Sequence, residues 1–188
     1  MKKNAVVVLA LAVLMLFAVF APAAMAKTPK KIAVAVTRGG TVWTLGLDFW
    51  TTEGGVFHSR NSEITGSIYT IVGEGINLGG TNRGIVDQNL NIEGMTEVLK
   101  YGKGNMRIDS TVTLTDGVRS GTFEGILQYQ GSFIKYEKGK FAGFLIPGNA
   151  VAHGVWHGTG DFQGWTYTLE EEFVGGTSQG VEAYILIP

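Results

Sequence analysis

The sequence predicts an all-β domain, an antiparallel up-and-down barrel of eight or more short strands, with a β-sandwich as the alternative arrangement. Three observations carry this. From residue 32 onward Thr, Val, Ile and aromatic residues alternate with polar ones at a period of two, in short runs. Separators such as Gly39-Gly40, Gly54-Gly55, Gly79-Gly80, Asp116-Gly117, Pro147-Gly148-Asn149 and Gly175-Gly176 follow one another at hairpin spacing. No stretch has a convincing helical period, and a long series of strands hides its edges by closing or stacking the sheet.

At the N-terminus Lys2 and Lys3 precede an apolar stretch from Ala5 to Phe20, and Ala24-Met25-Ala26 supplies small residues at a cleavage position. This is the pattern of an export signal removed after Ala26, so residues 1–26 read as a signal peptide and the mature chain as secreted or extracytoplasmic. An uncleaved anchor is the alternative, because the apolar run nearly spans a bilayer. Residues 27–31 form a short polar leader and 32–188 a single domain of ordinary size. No later segment is long and apolar enough for a transmembrane helix, so no membrane insertion is expected after cleavage. A transmembrane barrel is set aside because the runs are short and Gly-broken, with Thr-rich outer positions.

The composition excludes several classes. With 45% hydrophobic and 16% charged residues the chain can bury a core, and its 28 Gly serve turns. Loss of Lys2 and Lys3 makes the mature charge more negative than the formal −1 of the whole chain, so no nucleic-acid partner is expected. The absence of Cys removes disulfides, thiolate metal sites and cysteine nucleophiles together.

Taken in order, the strand runs lie near 32–37, 43–50, 63–72, 84–91, 94–101, 106–115, 118–129, 132–146, 150–157, 165–173 and 181–187. The clearest alternates Met106, Ile108, Ser110, Val112 and Leu114 with Arg107, Asp109, Thr111, Thr113 and Thr115. In another, Trp43, Leu45, Leu47 and Phe49 share one face, and in a third Trp165, Tyr167, Leu169 and Phe173 do. A GxFxG pattern recurs at Gly121–Gly125, Gly139–Gly143 and Gly160–Gly164, carrying Phe123, Phe141 and Phe162. In a strand each Phe would share its face with two glycines, which lets a sheet coil sharply.

The stretch Gly158-Thr159-Gly160-Asp161-Phe162-Gln163-Gly164 resembles the GTGxFxG turn-and-strand motif of small calycin-type barrels, the allene oxide cyclases, the dirigent proteins and related bacterial barrels. Gly121-Thr122-Phe123-Glu124-Gly125 and Ala152-His153-Gly154-Val155-Trp156 look like the strand pair upstream of it, so the resemblance spans roughly residues 94–174. It implies the barrel fold. The family's catalytic carboxylates, arginines and tyrosines lie outside the motif, so the resemblance assigns no catalytic role to any residue here.

Motifs for cofactor chemistry are missing: there is no GK[ST] loop, GxSxG elbow or EF-hand spacing, and Gly73-Glu74-Gly75 cannot open a helix as a dinucleotide turn must. His153 and His157 flank a strand segment, which places their rings roughly 13 Å apart, too far for one zinc, so neither a metal nor a cofactor is expected. More informative are charges on otherwise apolar faces, because an ionised inward group needs a partner, a ligand or solvent at a barrel mouth. Glu171 falls on the face of Trp165, Tyr167, Leu169 and Phe173, Glu97 on that of Met95, Leu99 and Tyr101, and Arg119 on that of Phe123, Leu127 and Tyr129. Glu97, Arg119 and Glu171 are therefore expected to meet inside the barrel, beneath a wall of Phe123, Tyr129, Trp165 and Tyr167, as a ligand-binding cluster. The alternative is that each charge sits at a strand end in water. Of the four Trp, Trp43 and Trp165 fit core faces, whereas Trp50 and Trp156 are placed on the opposite faces.

Three functions follow in order. The first is a secreted barrel that binds a small, mostly apolar molecule in its interior. The second is a cofactor-independent isomerase or lyase using the Glu/Arg cluster. The third is a cell-surface structural or interaction module with a filled barrel, favoured if Trp50 and Trp156 lie exposed together. An open edge strand would allow a homodimer.

Overall fold

A computed structural model of the chain describes residues 28–46, 48–139 and 142–188. Residues 1–26, expected as an export signal, and Phe141, the middle member of the GxFxG series, lie outside the described residues, as does Leu47. Ten strands follow in order: β1 (Lys30–Gly39), β2 (Val42–Thr44), β3 (Asp48–Thr51), β4 (Val56–Gly73), β5 (Ile76–Met95), β6 (Leu99–Thr115), β7 (Ser120–Tyr136), β8 (Leu145–Gly158), β9 (Thr166–Val174) and β10 (Thr177–Ile187). Strands β4 to β10 form an antiparallel meander. β1 closes it by pairing with both β10 and β4, giving an eight-stranded barrel and not a sandwich. The short β2 and β3 continue along the same edge of β4 beyond β1.

The strands are longer than the sequence pattern predicts. Gly79-Gly80, expected as a separator, lies inside the 20-residue β5, and Pro147-Gly148-Asn149 lies inside β8. The reason is close approach between neighbouring strands. Gly80 stands opposite Tyr69 and Leu114, Gly104 opposite Leu90, Gly125 opposite Trp156, Gly154 opposite Leu127, and Gly158 opposite Phe123. A Cβ would meet the facing strand's carbonyl oxygen at Gly80 (Thr113), Gly104 (Asn89) and Gly125 (Val155), the Trp156 ring at Gly154 and Phe162 at Gly158, so glycine inside these strands marks close approach of a neighbouring strand or ring. Register shifts at Ser59/Ser62 and Ile64/Ser67 of β4 bend the strand where the sheet turns, the first with Asn61 at φ 56° and the second with Gly66 at φ 69°.

Side chains occupy the interior from end to end. At the end where β1 begins, Phe123 stacks on Phe162 at 5.4 Å and Phe162 packs on Trp165 at 5.2 Å. The third GxFxG copy is a 3-10 turn here, Gly160–Phe162, rather than a strand, and it drives Phe162 into the barrel. At the opposite end the buried Phe144 and Leu145 close over the core, with Phe144 edge-on to Trp43 at 5.2 Å. Lys135 covers the Phe57 ring at 4.6 Å at the same end. Between them Trp156 lies stacked on Tyr167 at 4.9 Å. Trp156 is thus fully buried, which corrects its placement on an outer face; Phe49 is exposed instead of inward. Outside, β6 presents the charged Lys103, Arg107 and Asp109 with the polar Asn105 among them, which a lipid-facing band would not carry.

Candidate functional site

Two clusters stand out, one in the interior at the barrel's seam and one on its outer face. The seam exists because β1 pairs with β10 only over Lys30–Ala33; beyond that β1 pairs with β4, and residues 177–183 of β10 pair with β9 alone. Arg38 continues the inward face of Ile32, Val34 and Val36 and reaches across this gap to Glu171 of β9. The Glu171 side chain is 3% exposed and that of Arg38 27%. Tyr69 and Tyr167 share a hydroxyl hydrogen bond of 3.0 Å beside the pair, and Tyr129 packs on Phe173 at 5.9 Å.

Burial opposes the charge of Arg38, but Tyr129, Tyr69 and Glu171 outweigh it and hold the guanidinium above its ordinary pKa. Burial likewise pushes the phenols of Tyr69, Tyr129 and Tyr167 above the ordinary tyrosine range, helped at Tyr167 by Tyr69. Phenols held protonated more firmly in the folded chain than in the unfolded one stabilise the fold fully below about pH 10, and that contribution is lost as pH rises further. Spectrophotometric titration of the six tyrosines is therefore expected to show part of the phenolate signal only on alkaline unfolding. A full signal from the folded protein would show these rings to be open to water.

Of the seven residues expected to form the interior site, Phe123, Tyr129, Trp165, Tyr167 and Glu171 are buried in the core. Glu97 and Arg119 are not brought to Glu171. Glu97 lies exposed in the turn between β5 and β6, because the apparent strand 94–101 spans that turn. Arg119 is held in the turn between β6 and β7 by Asp116, at 2.8 Å, with its guanidinium 5.1 Å from the Trp165 ring centroid. The Asp116 carboxyl also accepts the backbone N–H groups of Arg119 and Val118, which with the guanidinium lowers its pKa to about 2. The arginine that does meet Glu171, Arg38, was legible one residue past the 32–37 run.

On the outer face, cross-strand pairing aligns side chains into two rows running across the strands. One joins Trp50, His58, Asn89, Asn105, Gln130, Val151 and Glu172. The other joins Asp87, Arg107, Gln128, His153, Glu170 and Glu182. Between β4 and β8 the rows line a recess of about 490 Å³. It shares Arg60 and Asp87 with a second recess bordered by Phe49 and Trp50, and Val151 and His153 with a third that ends among Glu170, Glu172 and Glu182. The three form one groove around the barrel.

The β4 bulge sets the groove's polar floor. Arg60 donates to the Ser59 and Gln88 carbonyl oxygens at 2.8 and 2.9 Å, and to Asn89 Oδ1 at 2.7 Å. Asn89 Oδ1 also lies 2.7 Å from His58 Nδ1, and Asn89 Nδ2 donates to Asn105 Oδ1 at 2.8 Å. His58 in turn stacks under Trp50 at 4.9 Å. Trp50 was placed on an outer face from the sequence, but Arg60, Asn89 and Asn105 were not singled out, because outward polar positions of a strand carry no signal until the register puts them side by side. Family models, curated proteins and solved structures gave no match to this chain.

Proposed function

We propose that this protein is an exported, non-catalytic binding module whose filled barrel acts as a rigid support and whose ligand lies in the outer groove. The observation that carries this is the contrast between an interior occupied at both ends and in the middle and a continuous recess outside it. Rigid strands fix the groove's side chains at sheet spacing, which suits recognition better than mobile loops. Export after Ala26 and kinship with the allene oxide cyclase and dirigent-like barrels belong to the same proposal. They rest on the N-terminal pattern, on the closed barrel and on the GTGDFQG turn.

A second reading keeps one observation in its favour. A charged pair among three phenols inside a barrel adds little stability over apolar side chains, and part of Arg38 faces water, which suits a small apolar ligand with a polar head at the seam.

Sedimentation with the insoluble envelope of the producing cell tests the groove. The secreted domain is expected in the pellet, and the double substitution Asn105→Arg/Gln130→Arg, which adds bulk and charge to exposed positions, is expected to release it. Equal sedimentation of both would remove the groove from the account.

A further inference from the structure

We propose that the outer groove binds a neutral oligosaccharide laid across the strands, with one sugar ring on the Trp50 indole; this rests on the reading of the groove as the ligand site. Three features select that chemistry. Trp50 is nearly half exposed and is held flat by His58, so it offers the rigid aromatic plane that the C–H face of a pyranose covers. Beyond it come primary amides, Asn89, Asn105, Gln128 and Gln130, each both donor and acceptor, as a sugar hydroxyl is. The hydrogen-bond chain from Arg60 through Asn89 ends on Asn105 Oδ1, so Asn105 Nδ2 is the donor left at its end, already oriented.

The charges argue against other ligands. In the centre the guanidinium groups of Arg60 and Arg107 are matched by the carboxylates of Asp87 and of Asp109, the latter paired with Arg107 at 2.7 Å, and the far end of the groove carries Glu170, Glu172 and Glu182. A nucleic acid or an acidic glycan would meet no net positive field in the centre and repulsion at that end. An extended peptide is disfavoured by direction. The groove crosses the strands, whose backbone groups pair within the sheet, so a peptide lying in it would find no edge to add to.

The test is calorimetric titration of the secreted domain with neutral hexasaccharides of β-1,4-linked glucose, N-acetylglucosamine and mannose, alongside their competition for envelope sedimentation. At least one is expected to bind and to displace the domain from the pellet. Trp50→Ala is expected to weaken binding about tenfold, with Trp50→Phe intermediate, and Gln130→Ala to weaken it about three- to tenfold. Val118→Ser, in a turn at the end of the barrel where β1 begins, is expected to leave it unchanged, and circular dichroism confirms that each variant folds. If no hexasaccharide binds, while protease treatment of the envelope and Trp50→Ala each abolish sedimentation, the ligand is a protein: the groove stands and the sugar falls. If a hexasaccharide binds but Trp50→Ala and Gln130→Ala bind equally well, the groove itself is overturned.

Discussion

Replacing Arg38 by leucine is expected to destabilise the fold by about 3–5 kcal/mol, because it leaves the Glu171 carboxylate buried without its counter-charge. In a domain of this size that is a fall in melting temperature of roughly 10 °C. The double variant Arg38→Leu/Glu171→Leu is expected to recover most of the loss, since it removes both charges and lets the seam pack apolar side chains. Chemical denaturation of the single and double variants measures the difference. The single variant tests more than a contact. β1 and β10 are joined by a ladder only four residues long, and the ion pair from Arg38 to Glu171 continues the closure where that ladder stops. If Arg38→Leu unfolds at the wild-type midpoint, the pair does not hold the seam.

Gly125→Val is expected to cost more than about 3 kcal/mol, or to prevent folding, although valine has the higher strand propensity. A side chain added at Gly125 would place its Cβ 2.0 Å from the Val155 carbonyl oxygen and 2.6 Å from Trp156 Cα. Neither can yield without moving β8, so the substitution pushes two paired strands apart. By contrast, Gly117→Val is limited by its turn backbone at φ 89°, since an added Cβ there meets no neighbour within 4 Å. Denaturant midpoints for the two variants separate the causes: a strained turn gives a loss of about 1–2 kcal/mol, and a split barrel a larger one. A folded Gly125→Val of wild-type stability would show that the interior has room.

The barrel was legible from alternation because a period of two on a coiled sheet depends only on which side chains face inward. The runs 106–115, 150–157 and 181–187 fall inside β6, β8 and β10, and Asp116-Gly117 and Gly175-Gly176 do end strands, but 118–129 and the start of 132–146 are one strand, because β7 runs unbroken to Tyr136. Element boundaries failed where glycine has two meanings. At Gly117 it supplies a positive φ for a turn, whereas at Gly80 it lets β6 lie close, where a Cβ would stand 1.8 Å from the Thr113 carbonyl oxygen. Local sequence does not distinguish them, because the partner that needs the space is tens of residues away.

The same limit governs the site. Glu171 was legible because its neighbours on β9 are large and apolar, so its charge stands out against them. Its partner was assigned to Arg119 instead of Arg38 because partnership depends on which strands meet at the seam, and that follows from closure rather than from alternation. Glu97 shows a further ambiguity: Met95, Leu99 and Tyr101 keep the period of a strand across a turn, and the turn reverses the chain at Glu97. Of the outer groove the sequence singled out only Trp50, on an outer face, and His153. The groove's members come from strands β3 to β10, and only the register sets Trp50, Asn89, Asn105 and Gln130 in line.

The central claim is that the interior is full and the ligand binds from outside. Native mass spectrometry of residues 27–188, before and after denaturing extraction, tests it most directly. The account predicts the mass of the bare chain in both states, with no small molecule released on denaturation. A stoichiometric apolar molecule, carried through purification and freed only when the barrel unfolds, would contradict it and return the function to the Arg38–Glu171 seam.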